Sequence, residues 1–211
     1  MHPIIDNYRD LPIGVYLDII NIQETETDEL RRQCLIIGAL AALNEQEVLA
    51  LPLDEYKRLR ASAAFLQEQC PDDLLRVADR YPVGGFTLVP LKDYEKLNVA
   101  QYVDFQTFSR DAEHKLPELL SVVLVPEGCG YNTGYDIRQV QQAIREGMNV
   151  ADALAIAAYF FAWSSALTIS SLDYFRALAA KMKEGPTKTE LQKTIAEAEE
   201  ILRLSGAGSQ P

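Results

Sequence analysis

The sequence predicts a mainly α-helical protein made of two related helical subdomains, with a minor β element and a C-terminal helix. Three observations predict this fold class: helix start signals recur along the chain, apolar residues follow helical spacing in most segments, and one motif occurs twice. We predict an N-terminal helical repeat over residues 1–82 and a C-terminal helical repeat with a long central helix over residues 83–184. A C-terminal helix with a flexible tail is predicted over residues 185–211.

The repeated motif is YRDLPIGVYLDI at residues 8–19, which returns as YEKLNVAQYVDF at residues 94–105. At a constant offset of 86 residues, Tyr8, Leu11, Tyr16 and Asp18 recur as Tyr94, Leu97, Tyr102 and Asp104. At the same offset, Ile36-Ile37 becomes Val122-Val123. We interpret the pattern as an internal duplication, the alternative being chance, because the offset holds without a gap in two separate segments. One such unit cannot bury its apolar faces alone, so the two units are expected to pack on each other.

Capping residues define the predicted helices of the N-terminal half. Asp28 begins a helix that should run to Leu43, and Asn44-Glu-Gln-Glu is a capping arrangement for a short helix. Pro52 opens a further helix, LDEYKRLRASAAFLQEQ. Its apolar stripe consists of Tyr56, Leu59, Ala63 and Leu66, and its outward-facing basic residues are Lys57, Arg58 and Arg60. DDLLRVADR predicts one more short helix, which ends at Tyr81-Pro82.

The C-terminal half begins with the best strand candidate, Phe86–Val89, in VGGFTLVPL. Asn98 with Gln101 predicts a capped helix, and ELLSVVLV is either a short helix or a strand. The glycine-rich PEGCGYNTGYD predicts a loop in which glycines supply positive φ angles. The remaining predicted helices are IRQVQQAIREG capped by Asp136 with Gln139, a central helix from Asn149 with Asp152 to Lys183, and a last helix over Lys188–Leu204.

Composition limits the classes of function. The 211 residues carry a net charge of −11, which argues against a nucleic-acid partner because phosphates must be met by clustered Lys and Arg. Three widely spaced cysteines predict reduced thiols, and the N-terminus has no signal-peptide pattern. Residues 153–172 carry no charge and have the length of a membrane span, but their serines and alanines favour a buried central helix. We therefore expect no membrane association.

No residue pattern predicts a catalytic, cofactor-binding or metal site. His2 and His114 are not spaced as zinc ligands, and the loop 127–136 lacks the closing glutamate of a calcium site. Cys129 has only the distant His114 as a candidate base, so we expect a simple exposed thiol. An enzyme would require that this loop hold a pocket with converging polar groups.

Two further groups of residues have both a functional and a structural interpretation. The repeated Asp18 and Asp104 could each contact a partner, but we expect each carboxylate to hydrogen-bond the loop that follows its helix or to face water. The aromatic residues Tyr159, Phe160, Phe161 and Trp163 could form a ligand cage. Because they lie on so apolar a helix, we expect them to belong to the core.

Several stretches resemble a group of tailed-bacteriophage proteins. They are QYVDFQTF, ELLSVVLVPEGCGYNTGYDIRQVQ and ADALAIAAYFF, with LPIGVYLDII and EQEVLALPLDEY nearer the N-terminus. The similarity covers residues 6–183. The group is associated with the tail assembly chaperone, which is encoded beside the tape-measure protein.

The resemblance implies a non-enzymatic tail assembly chaperone that coats helical segments of the tape-measure protein in the host cytoplasm and is then shed. Such a protein needs an apolar groove for the client's helices and enough net charge to keep the complex dispersed. The alternative is a structural virion protein, such as a connector, ring or baseplate component, that forms a symmetric assembly. Both alternatives imply a protein partner and no cofactor, and the second predicts a homo-oligomer.

Overall fold

The computed structural model describes residues 2–91 and 97–162, together with residues 192, 193 and 196. The chain divides into two compact units, Met1–Ala157 and Ala158–Pro211. The described residues are mainly helical with a small three-stranded sheet, which confirms the predicted mainly α class with a minor β element. The predicted subdomain boundaries stay a prediction. The predicted helix over Lys188–Leu204 lies almost entirely outside the described residues.

Four helices precede the sheet: α1 (Ile13–Thr25), α2 (Glu29–Ala41), α3 (Glu45–Leu49) and α4 (Leu53–Ser62). Two 3-10 helices follow at Ala63–Gln67 and Asp72–Leu74, and then strands β1 (Tyr81–Val83) and β2 (Phe86–Pro90). The second half contains α5 (Val99–Phe108), a 3-10 turn at Ser109–Asp111, α6 (Leu116–Val123), β3 (Leu124–Pro126) and α7 (Ile137–Gly147). Helix α8 occupies residues 150–162 of the described chain.

Polar side chains begin most of the predicted helices as expected. Asn44 accepts a hydrogen bond from the Glu47 amide at 3.0 Å, and the Glu47 carboxylate accepts one from the Asn44 amide at 2.7 Å. The other confirmed pairs are Asn98 with Gln101 at α5 and Asn149 with Asp152 at α8. Asp136 caps α7 through the Arg138 amide, one residue earlier than the predicted Gln139.

Strand β2 is the centre of the sheet and pairs antiparallel with β1 and β3. The predicted strand at Phe86–Val89 is confirmed and runs one residue further. Strand β1 was not predicted and lies where a helix was expected to end, at Tyr81-Pro82. The segment ELLSVVLV, predicted to be a helix or a strand, contains both, since α6 ends at Val123 and β3 begins at Leu124.

The predicted helix over DDLLRVADR is wrong beyond its first turn, because only Asp72–Leu74 forms a 3-10 helix. Most of its side chains are exposed and only Leu74 and Leu75 are half-buried, and a short helix without a buried face is marginal in water. The long helix predicted after Pro52 also differs from the structure. α4 ends at Ser62, and the chain tightens into the 3-10 helix Ala63–Gln67.

Helix α6 lies at the centre of the core, since all its residues except Glu118 are buried. Helices α5 and α7 pack against it, and each places one amide side chain on its polar groups. Gln101 of α5 donates to the Val122 carbonyl at 3.0 Å, and Gln141 of α7 donates to the Ser121 hydroxyl at 3.1 Å. These bonds satisfy polar atoms that would otherwise be costly to bury.

The start of α1 packs on the junction between α7 and α8. The Ile13 amide donates to the Met148 carbonyl at 3.0 Å, and the Val150 amide donates to the Leu11 carbonyl at 2.8 Å. A Cβ atom on Gly14 would lie 3.1 Å from the Arg145 carbonyl oxygen, so a glycine here permits the close approach of α1 and α7. The first copy of the repeated motif thus connects the N-terminal helices to the C-terminal half.

The two halves share the order of their helices. α1 and α5 begin at Ile13 and Val99, which are 86 residues apart, the offset of the repeated motif. In each half the first helix packs on the second and the second on the third. Burial differs, however, because Ile13 is 0% exposed and Val99 is 81% exposed. The helix order supports the interpretation as a duplication, and the burial shows that the two copies now have different neighbours.

The described part of the predicted central helix, α8, is apolar within the first unit apart from Asp152, which exchanges hydrogen bonds with Asn149 at the helix start. Its buried residues there are Val150, Ala151, Ala153, Ala155, Ile156 and Ala157. The predicted continuation to Lys183 lies outside the described residues. Within the part of the chain that the structure describes, no helix has both the length and the apolar character needed to cross a membrane.

Candidate functional site

An open cleft with a volume of about 680 Å³ lies between α2 and the segment formed by α4 and the 3-10 helix after it. Helix α2 contributes Glu29, Arg32, Gln33, Ile36 and Ile37, which are spaced so that they share one helix face. The opposite wall consists of Lys57, Arg60, Ala61, Ala63, Ala64, Leu66 and Gln67, and Gln23 of α1 completes the lining. We call this feature the α2–α4 cleft.

The α2–α4 cleft is basic although the chain as a whole carries a net charge of −11. Three cations line it, Arg32, Lys57 and Arg60, against the single carboxylate of Glu29. Glu29 is bonded to Arg32 and also accepts a hydrogen bond from Gln33 at 2.7 Å. Neither Lys57 nor Arg60 forms an ion pair with another described residue. The wall formed by α4 therefore offers two cations to an acidic ligand.

The floor of the cleft is apolar. Ile37 is buried, and Ile36 and Leu66 are half-buried, so part of their surface faces the cleft. Ala61 and Ala64 are exposed and small, which permits close approach of a ligand's backbone. An apolar floor beside a basic wall suits an amphipathic helix that carries acidic side chains.

The repeated aspartates have different partners in the two halves. Asp104 accepts a hydrogen bond from the Tyr131 hydroxyl at 2.6 Å, and so bonds the loop 127–136. Asp18 accepts one from Arg145 of α7 at 3.3 Å. Burial, followed by the bond to Asp104, raises the pKa of Tyr131 above its usual range. Neither partner lies in the loop that directly follows the helix, since Tyr131 comes after α6 and β3 and Arg145 lies on α7. The Asp18 side chain is 64% exposed, which agrees with the expected alternative of a carboxylate that faces water.

His114 lies between two carboxylates at the surface. Its Nε2 is 2.9 Å from Glu24, at the end of α1, and its Nδ1 is 2.7 Å from Asp111, before α6. Both ring nitrogens are thus occupied, and neither is directed at Cys129. The bond to Glu24, followed by that to Asp111, raises the pKa of His114 above its ordinary value. The arrangement connects the first helix of the N-terminal half to the C-terminal half.

The loop 127–136 is built from tight turns. Gly134 has a positive φ angle of 85°, as predicted for the glycines of GYNTG. Gly130 does not have a positive φ angle, and Asn132 adopts one of 53° instead. Glu127, at its start, forms an ion pair with Arg80 at 2.5 Å. Cys129 is half-buried. Among the residues that the structure describes, no three His, Cys, Asp or Glu side chains are placed to hold a metal ion.

The aromatic residues of α8 divide between core and surface. Phe160 is buried, whereas Tyr159 is 40% exposed, and their rings meet edge to face with centroids 5.4 Å apart. Phe161 is half-buried, and Trp163 lies outside the described residues. The prediction that these residues belong to the core is therefore correct for Phe160 but not for Tyr159.

A second surface feature is an apolar stripe along the outer face of α5. Val99, Tyr102 and Val103 are 81%, 47% and 53% exposed, and their spacing places them side by side on the helix. Tyr102 belongs to the repeated motif, but the sequence did not predict the exposure of these side chains. Their spacing could not have revealed it, because the three positions are also apolar in α1, where they are Ile13, Tyr16 and Leu17.

The sequence did not reveal the α2–α4 cleft. Lys57 and Arg60 are exposed, as predicted, whereas Arg58 is half-buried and donates a hydrogen bond to the His2 carbonyl at 2.9 Å. The position of Arg32 in the same cleft could not be predicted, because it depends on how α2 packs against α4. The only available signal was local, namely the clustering of basic residues on α4 in an acidic chain.

No protein-family model, curated protein or solved structure matches this chain.

Proposed function

We propose that this protein is a non-enzymatic tail assembly chaperone of a tailed bacteriophage, which binds helical segments of the tape-measure protein in the host cytoplasm. The observation that carries the proposal is the α2–α4 cleft, with its apolar floor and its basic wall. A client helix would lay its apolar face on Ile36 and Leu66 and direct acidic side chains toward Lys57 and Arg60. The sequence resemblance to phage proteins at the tail assembly chaperone position supports the same function.

The rest of the surface fits this role. The net charge of −11 gives each coated client segment a strong negative charge, which disfavours aggregation of the complex before the tail tube forms. The cleft is open, so the client can leave without unfolding of the chaperone. Two exposed ion pairs and a shallow apolar contact give modest affinity, as a protein that must be shed requires.

Overlapping peptides from the tape-measure protein encoded with this chain provide the test, with binding measured by fluorescence anisotropy. We expect amphipathic peptides with an acidic flank to bind, and the double variant Lys57→Glu/Arg60→Glu to weaken binding about tenfold. The matched control is Arg9→Glu/Arg76→Glu, which makes the same charge change at exposed positions away from the cleft. Failure of every peptide to bind, or an equal loss in both double variants, would contradict the proposal.

A structural virion protein is the second candidate function, and the exposed stripe on α5 favours it. Val99 and Val103 form an apolar contact surface of the kind that subunits of an assembly bury against one another. Mass spectrometry of purified particles and of infected-cell lysate separates the two candidates. A chaperone is present in the lysate and missing from particles, whereas a connector, ring or baseplate protein is retained at fixed stoichiometry.

A further inference from the structure

Two surfaces of this chain pack on each other inside the fold. Each has a counterpart at the equivalent position of the other half, and both counterparts are apolar and exposed. The internal contact joins the start of α1 to the α7–α8 junction, where Ile13 pairs with Met148 and Leu11 with Val150 through backbone hydrogen bonds. At the motif offset of 86 residues, the start of α5 corresponds to the start of α1. The α3–α4 junction follows α2 as the α7–α8 junction follows α6.

These counterparts can be aligned residue by residue. Val99 corresponds to Ile13 and Leu97 to Leu11 by the offset. Leu53 and Val150 are the first residues of α4 and α8, so Leu51 corresponds to Met148. Position 14 is a glycine where α1 meets α7, and its counterpart is Ala100, which is also small.

The internal pair is buried and the counterpart pair is not. Ile13 and Val150 are each 0% exposed, whereas Val99 is 81% exposed and Leu53 is 67% exposed. Leu49, the last residue of α3 and the first of the α3–α4 junction, is 65% exposed. The described part of the chain therefore presents both halves of a contact that it already makes once, and leaves both exposed.

We infer that a second copy of this chain covers these surfaces, with the start of α5 in one subunit packed on the α3–α4 junction of the next. The junction is the uncharged run LALPL at residues 49–53, and Asp104, the only charged residue of α5, is bonded to Tyr131 in its own chain. Two chains of net charge −11 can approach most easily through such uncharged surfaces.

The contact is heterologous, because each subunit contributes a different surface. Every subunit keeps one free surface after binding one neighbour, so association continues until a ring closes or a filament forms. The internal ion pair between Asp18 and Arg145 has no counterpart at this interface, since Asp104 is already bonded to Tyr131. We therefore expect association to be reversible and to depend on protein concentration.

Two charge variants test the arrangement by sedimentation velocity, from micromolar to near-millimolar protein. Val99→Asp and Leu53→Asp each place an acid at the first position of a helix, where it favours the helix dipole, so both variants should fold. We expect each variant alone to lose more than about tenfold in its association constant, since an unpaired carboxylate would be buried in the contact. Val77→Asp, at an exposed position outside both surfaces, is the matched control and should associate like the wild type.

Mixing the two variants distinguishes this arrangement from a symmetric dimer. Val99→Asp keeps an intact α3–α4 junction and Leu53→Asp keeps an intact α5, so an equimolar mixture should form one-to-one dimers and nothing larger. The inference is overturned if the wild type stays monomeric throughout, if Leu53→Asp alone associates like the wild type, or if the mixture stays monomeric. Neither Lys57 nor Arg60 takes part, so failure of this inference leaves client binding in the α2–α4 cleft unaffected.

A disulfide trap checks the register of the contact. The internal bond from Ile13 to Met148 predicts that Val99 of one subunit meets Leu51 of the next. We expect an oxidised mixture of Val99→Cys and Leu51→Cys proteins to give a dimer whose linked peptides contain residues 99 and 51. A mixture of Val99→Cys and Val77→Cys proteins is the control. Equal yields of dimer in the two mixtures would overturn the proposed register.

Discussion

Removing the hydrogen bond between Tyr131 and Asp104 is the most direct test of what holds the loop 127–136 in place. Tyr131 is 8% exposed, and its hydroxyl donates to a carboxylate at 2.6 Å. Hydrogen bonds to charged groups contribute about 1.5–3 kcal/mol to stability, so we expect Tyr131→Phe to lower the free energy of unfolding by about that amount. Urea denaturation followed by circular dichroism measures the change.

The same pair allows a double-mutant cycle. If the stabilisation comes from the bond itself, Asp104→Ala should make the further change Tyr131→Phe nearly neutral. An undiminished cost of Tyr131→Phe in the Asp104→Ala background would show that the hydroxyl stabilises the fold through some other contact.

His114 gives the protein a pH-dependent connection at its surface. Its pKa is raised by Glu24 and Asp111, so the folded protein holds the proton more tightly than the unfolded chain does. The stabilisation is therefore fully present below a pH of about 6.5 and is lost as the pH rises through the folded-state pKa. We expect His114→Gln to cost more stability at mildly acidic than at mildly alkaline pH, as measured by thermal unfolding.

The size of this effect should be small, because the His114 side chain is 42% exposed and salt screens surface pairs. His2→Gln serves as the control, since that residue makes no contact with Glu24 or Asp111. A difference between wild type and His114→Gln that does not change with pH would contradict the assignment of His114 to these two carboxylates.

The sequence identified which residues recur but could not identify their partners. Asp18 and Asp104 stand out by their common offset, and a carboxylate within a predicted helix is expected to have a structural role. Asp104 is bonded to Tyr131 and Asp18 to Arg145, which lie 27 and 127 residues further along the chain. Contacts at such separations depend on tertiary packing, about which local propensity carries no information.

At the scale of elements, the β1–β2 hairpin rests on helix α7 through a glycine. A Cβ atom at Gly84 would lie 2.5 Å from the Cβ atom of Ala143, and the φ angle of Gly84 is +55°. Gly85 has a φ angle of +84° but nothing within 4 Å. We expect Gly85→Ala to cost about 1–2 kcal/mol from backbone strain alone, and Gly84→Ala to cost clearly more. Chemical denaturation of the two variants measures the difference.

A second substitution separates the clash from the strain. Ala143→Gly removes the methyl group that the new Cβ would meet, at a cost of about 1 kcal/mol in helix propensity. The double variant Gly84→Ala/Ala143→Gly should therefore be more stable than the sum of the single changes predicts. Strict additivity would show that the hairpin does not pack on α7 at this point.

Strand prediction failed where the signals for two structures overlapped. Gly84-Gly85 between apolar residues is a hairpin signal, and β2 was predicted after it, but Tyr81-Pro82 was interpreted as the end of a helix. β3 follows α6 without a polar break, so composition alone could not divide ELLSVVLV between them. Helices with capping residues were predicted well because their start signals are local.

At the scale of the whole molecule, the acidic net charge gives opposite salt dependence to the two proposed contacts. Between copies of the chain, like charges oppose association, and added salt screens that repulsion without weakening an apolar interface. In the α2–α4 cleft, salt instead screens the attraction between Lys57, Arg60 and the client's carboxylates. The Debye length falls from about 10 Å at 0.1 M to about 3 Å at 1 M, so both effects lie within an ordinary salt series.

We therefore expect rising sodium chloride to strengthen self-association in sedimentation and to weaken peptide binding in anisotropy. Val99→Asp should remove the first response and keep the second, since it lies on α5 outside the cleft, while Lys57→Glu/Arg60→Glu should do the reverse. If salt weakened both, the contact between subunits would be ionic, which the uncharged run at residues 49–53 does not provide. Peptide binding that did not respond to salt would place the client on an apolar surface such as the α5 stripe, where it would compete with a second copy of the chain.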